Sequence, residues 1–177
     1  MNAAFQGGQN AAFMRQWAAQ KNFIARRIGF RIVNREGFIH PDDMAEIAKF
    51  VHRGAAMITP KILKGVHKRL PFLKLKFTEF DDPAFPHLSE QLEFLADVVE
   101  DFAEGVEEEL PYATVVAATF ALVYADRQTD ILPDGIPEAG FADDSAVVRA
   151  VLIEHERVLS AYAARHHMKW DAVSVKP

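Results

Sequence analysis

The sequence contains no cysteine. Disulfide frameworks, thiolate nucleophiles and cysteine-ligated zinc are therefore excluded, and the composition suits a reducing cytosol. Long apolar runs are also lacking. The longest, Ala113–Ala125, is interrupted by Thr114 and Thr119 and falls short of the roughly 18–20 residues that a membrane-spanning helix needs. The opening residues MNAAFQGGQN hold no basic run followed by an apolar segment, so no secretory signal is expected. Catalytic signatures are equally sparse. Ser89, Ser145, Ser160 and Ser174 lie in no G-x-S-x-G setting, Gly7-Gly8 leads to no P-loop lysine, and no H-E-x-x-H occurs. A non-enzymatic role is favoured.

Charge of one sign is scarce at each end. Residues 1–76 hold 14 Lys+Arg against 4 Asp+Glu, a net +10, while residues 77–177 hold 6 against 21, a net −15, which together make the overall −5. Such polarity bears on partners and self-association rather than on fold. The loop Asp81-Asp-Pro-Ala-Phe-Pro86 lies where the sign changes. It divides a basic part, residues 1–80, from an acidic part, residues 81–177, which could equally fold together as one compact domain.

What is present is a hydrophobic chain of 177 residues, half of them apolar, long enough to bury a sizeable core. Apolar residues recur at helical spacing along most of it. A basic amphipathic helix is predicted over Phe13–Ile32, followed by a turn at Asn34–Gly37. His40-Pro41-Asp42-Asp43 reads as the start of a helix burying Met44, Ile47, Ala48 and Val51, its acids facing the helix dipole. Thr59-Pro60 is a second start signal, a capping hydroxyl before a proline whose missing N–H costs nothing there. This helix is expected to run from Lys61 to Leu70 and stop at Pro71, and the alternating Leu73–Phe77 to follow as an extended connection. From Leu88 to Leu110, apolar residues at 88, 92, 95, 99, 102, 106 and 110 describe an acidic helix with a near-heptad stripe. Tyr112–Ala125 is apolar all round and is expected to be buried centrally, and Ser145–His166 reads as a single helix. Within the last, His155 falls on the apolar stripe and is read as a hydrogen-bonded core histidine.

Between the last two helices lies Asp130–Asp144, DILPDGIPEAGFADD. Asp130, Asp134, Asp143 and Asp144 are candidate ligands for a hard divalent cation, which takes several oxygen donors. Their spacing is not that of a calcium loop. The preferred alternative is a punctuated turn, in which Asp143 or Asp144 caps the next helix, Asp130 and Asp134 accept from turn amides, and Pro133 and Pro137 exclude helix.

Nine residues of this stretch, Asp130, Pro133, Asp134, Ile136, Pro137, Gly140, Phe141, Asp143 and Asp144, resemble the signature of the YkvA-like family of domains of unknown function, over roughly residues 112–151. The chain departs from that pattern at Arg127-Gln128, where a Ser-Pro is common, and at Gly135, Glu138 and Ala142, where apolar residues are usual. The resemblance implies a helical hairpin and carries no established catalytic residues.

The expected fold is an all-α bundle of about six helices, with a C-terminal hairpin joined by the Asp/Pro/Gly-rich turn. The candidate interaction residues are Arg15, Trp17, Arg26, Arg27 and Arg31 of the basic N-terminal helix. That helix has three readings: docking on the acidic helix Leu88–Leu110 of this molecule or a partner, lying on an anionic membrane surface, or tracking the phosphates of nucleic acid. The first is preferred, and the last fits poorly with a pI near 5.8. The expectation is a cytoplasmic interaction module, with a protein partner or homo-oligomer, peripheral membrane contact as an extension, and a divalent-metal protein or metal-dependent hydrolase as the alternative.

Overall fold

In the computed structural model, the described residues are 41–126 and 141–174. The Phe13–Ile32 segment, with Arg15, Trp17, Arg26, Arg27 and Arg31, lies outside them, as do Asp130 and Asp134. Among the described residues the fold is all-α, a packed bundle of eight helices without strands. They are α1 (Pro41–Ala55), α2 (Pro60–His67), α3 (Leu70–Phe77), α4 (Leu88–Glu104), α5 (Tyr112–Asp126), α6 (Ala142–Glu154), α7 (Glu156–Arg165) and α8 (Trp170–Val173). None is long and apolar enough to cross a membrane.

The helix that is apolar all round is the central one. Every residue of α5 from Thr114 to Ala125 is buried, with α1, α4 and α6 packed against it. Its two polar interruptions are both satisfied, as burial demands. Thr119 Oγ1 donates to the Val115 carbonyl at 2.7 Å, and Thr114 Oγ1 meets His155 Nδ1 at 3.2 Å. On α1, Ile47, Phe50, Val51 and Ala55 face this core, and the ring of Phe50 packs edge-on against Phe120 and Tyr124. Gly54 permits the close approach: a Cβ there would stand 2.1 Å from the Phe120 ring. Helices on both sides of the 81–86 loop contribute to one hydrophobic core.

Three expected elements take a different form. Pro71 does not end a helix but occupies the first turn of α3, where its missing N–H is no loss. Leu73–Phe77 is accordingly helical rather than extended. Leu70, Leu73 and Phe77 are buried at steps of three and four, and this packing overrides the alternation of Leu73, Leu75 and Phe77. The acidic helix stops at Glu104 rather than running to Leu110, because Gly105 takes a left-handed conformation (φ 76°). Gly105 N–H donates to Phe102 O and Val106 N–H to Asp101 O, which closes the helix by a Schellman motif. Val106 is consequently exposed, while Leu110 tucks back into the core. Finally, Ser145–His166 is two helices. The chain turns at His155 (φ −108°, ψ 17°), so that α7 buries Leu159, Tyr162 and Ala163 on its own line.

Candidate interaction surface

The short helices α2 and α3 are built from one stretch poor in acid. Between Glu46 and Glu79 there are eight Lys+Arg and no Asp or Glu. Thr59 caps α2 as its spacing predicts, its Oγ1 accepting from Ile62 N–H at 3.3 Å, with Pro60 at the first position. Lys68 (φ −62°, ψ −21°) and Arg69 (φ −101°, ψ −5°), which join α2 to α3, keep right-handed helical dihedrals. The helical phase therefore carries across the joint. Leu63, Val66, Leu70, Leu73 and Phe77 form a continuous buried row. Lys61, Lys64, Lys68, Phe72 and Leu75, at steps of three, four, four and three, form an exposed row on the opposite side.

The lysines of this stretch fall into two environments. Lys74 reaches α4, 2.7 Å from Asp97 and in contact with Glu100. Burial acts to lower the pKa of its ammonium, but the two carboxylates outweigh that effect and hold it above the usual lysine value. Lys76 donates to the backbone carbonyl of Asp126 at the end of α5 and lies 3.4 Å from its carboxylate, which Arg69 also meets at 3.0 Å. Among the described residues, basic-on-acidic docking within the molecule comes from α3 and from Arg69 at its N-cap. By contrast, Lys61, Lys64 and Lys68 are exposed and make no ion pair among the described residues. Beside them Phe72 and Leu75 are 60% and 66% exposed, although large apolar side chains usually turn inward.

A second polar cluster clamps α7 to α4. Arg165 binds Glu107 through two N–H donors, at 2.9 and 2.6 Å, and His166 Nε2 lies 2.9 Å from the same carboxylate. The paired donors of Arg165 first, then His166, hold the Glu107 carboxyl below its ordinary pKa, against the opposing effect of burial. Tyr162 donates to Asp101 at 2.6 Å, and burial, aided by that carboxylate, raises its phenol pKa well above the usual range. All of these groups are mutually satisfied, so the cluster acts as a fastening between helices. No short motif announces it, since Glu107 and Arg165 are 58 residues apart.

The carboxylates of the opening hypothesis divide between described and undescribed residues. Asp143 and Asp144 are buried in the first turn of α6, while Phe141 occupies the N-cap position without a side-chain capping bond. The expected capping by Asp143 or Asp144 is therefore not the arrangement found. Asp143 Oδ2 instead accepts from Tyr124 O–H at 2.7 Å, tying α5 to α6. Phe141 packs against Phe80, ring centroids 4.6 Å apart. Among the described residues no group of three or more His, Asp or Glu is placed to hold a metal. His155 is half-buried against Thr114, as the apolar stripe predicts, and burial lowers its pKa.

No protein-family model, curated protein or solved structure matches the chain. The case for a functional surface rests on its own geometry. Sequence reasoning did not single out Phe72 and Leu75, because the alternation around them suggested an extended segment. The signal that could have found them is the 3-4-3-4 spacing of Leu63, Val66, Leu70, Leu73 and Phe77, which reads through Pro71 as one helical face.

Proposed function

We propose that this protein is a non-catalytic, cytosolic interaction module that associates through charge, with a YkvA-like hairpin, Tyr112–Val151, at the centre of its bundle. The observation that carries this reading is the division among its lysines. Lys74 and Lys76 are matched by carboxylates of α4 and α5, whereas Lys61, Lys64 and Lys68 form an exposed row with no matching acid among the described residues. Charges displayed in this way cost little in stability and favour an anionic partner, including the acidic exterior of a second copy, where Glu90, Glu93, Glu108 and Glu109 are exposed.

Salt provides the test, because exposed charges are screened over about 8–10 Å at physiological ionic strength. Sedimentation velocity at low salt is expected to show association that high salt reverses, and that the Lys61→Glu/Lys64→Glu/Lys68→Glu variant loses. A parent chain that stays monomeric at low salt and binds no anionic partner, whether protein or vesicle, overturns the proposal.

A further inference from the structure

We infer that the outer row of α2 and α3 is a docking surface for an anionic lipid bilayer, which the protein meets side-on, with Lys61, Lys64 and Lys68 among the headgroups and Phe72 and Leu75 inserted beside them. The inference rests on the reading of the chain as a charge-driven interaction module and names its partner.

Three observations favour lipid over a protein surface. The first is chemical continuity. Cations and large apolar groups share one exposed row, the lysines at its start and Phe72 and Leu75 at its end, so one surface offers both attraction to anionic headgroups and apolar area to bury. A partner that matched only the lysines would leave Phe72 and Leu75 in water. The second is shape. The row is an exposed ridge on the outside of the bundle, running from Lys61 to Leu75 across the joint between α2 and α3. At its middle, Gly65 has nothing within 4 Å of where a Cβ would stand. A ridge of this kind fits a flat, deformable surface. The third is the single sign of formal charge along this stretch of chain. No acid interrupts the sequence from Glu46 to Glu79, and the inner carboxylates Asp97, Glu100 and Asp126 are already engaged by Lys74, Lys76 and Arg69. Glu79, one turn beyond Leu75, is exposed and marks the end of the row.

The buried row beneath makes this docking compatible with a folded protein. Leu63, Val66, Leu70, Leu73 and Phe77 remain in the core, so no helix has to detach for Phe72 and Leu75 to enter the interface. Contact with the membrane is then a rigid-body event, limited by the charge of the surface rather than by unfolding.

The test is co-sedimentation of the full chain with vesicles of phosphatidylcholine alone and of phosphatidylcholine mixed with phosphatidylserine. The three exposed lysines predict binding to the anionic vesicles about a hundredfold tighter than to the neutral ones at low salt. The Lys61→Glu/Lys64→Glu/Lys68→Glu variant is expected to lose it, and Phe72→Ser/Leu75→Ser to weaken it about tenfold or more. Thermal melts should remain at the parent value in both, since the replaced side chains are exposed. Gly65→Leu, whose Cβ meets no neighbour, is expected to tighten binding, and the fluorescence of Phe72→Trp to shift to the blue on anionic vesicles. If the protein ignores anionic vesicles yet associates with itself or with an acidic protein at low salt, the lipid inference fails while the interaction module stands. Anionic-vesicle binding that the lysine variant retains in full also overturns the inference, since the surface then lies elsewhere. Indifference to vesicles and proteins alike overturns both.

Discussion

The two faces of α2 and α3 are made of the same materials, leucine, phenylalanine and lysine, in opposite circumstances. On the inner face Leu73 and Phe77 are almost wholly buried and Lys74 is held between two carboxylates; on the outer face Leu75 and Phe72 are exposed beside lysines that make no ion pair among the described residues. The difference shows that residue type does not decide whether a side chain supports the fold or is available to a partner. Helical phase decides it, together with the positions of the acids on α4 and α5.

The largest expected break in this comparison is Leu73→Ala, which removes a core side chain and leaves a cavity. It should cost about 2–5 kcal/mol in chemical denaturation, while Leu75→Ala, two residues away, leaves the midpoint unchanged. Lys74→Met comes next. It leaves Asp97 and Glu100 facing each other without their shared cation, at an expected loss of about 1 kcal/mol for a partly exposed pair. Lys64→Met should leave the melting temperature unmoved, and a fall as large as that of Lys74→Met would mean the outer lysines are structural after all. Gly65→Ala acts in the opposite direction. With open space at the Cβ position, better helix propensity should stabilise α2 by about 0.5–1 kcal/mol.

The smallest effect expected is a dependence on pH that comes from a half-buried histidine. Burial lowers the pKa of His155 from 6.5, with Glu154 opposing weakly. Below 6.5 the unfolded chain therefore binds a proton that the folded chain resists. The stability due to His155 is complete above that pH and is lost as pH falls towards the folded pKa. Melting temperature should decline on acidification from pH 8 to pH 5.5, and His155→Gln should reduce the decline. Variants of the exposed outer lysines should reproduce the parent curve.

Much of the bundle was legible because local chemistry and tertiary packing agree. Thr59-Pro60 begins a helix wherever it sits, and Tyr112–Ala125 could hardly be anything but central. Legibility failed where a residue has two permitted uses. Pro71 can end one helix or open the next, and Leu73–Phe77 alternates as a strand would while also supplying helical contacts. His155 carries no breaker chemistry, so the turn between α6 and α7 becomes visible only from the separate directions in which their apolar faces must point. Of the candidate site residues, Asp143 and Asp144 were recognised as members of a carboxylate-rich turn but not as buried groups, because Tyr124 reaches Asp143 from the preceding helix.

By itself the sequence determined the all-α class, the central helix, the absence of thiol chemistry and the separation of basic from acidic halves, all consequences of composition and periodicity along the chain. Tertiary structure alone decided which lysines are neutralised. Ion pairing depends on distances between segments far apart in the sequence, and Lys74 meets Asp97 and Glu100 only when α3 lies on α4, the same docking that leaves Lys61, Lys64, Lys68, Phe72 and Leu75 facing outward.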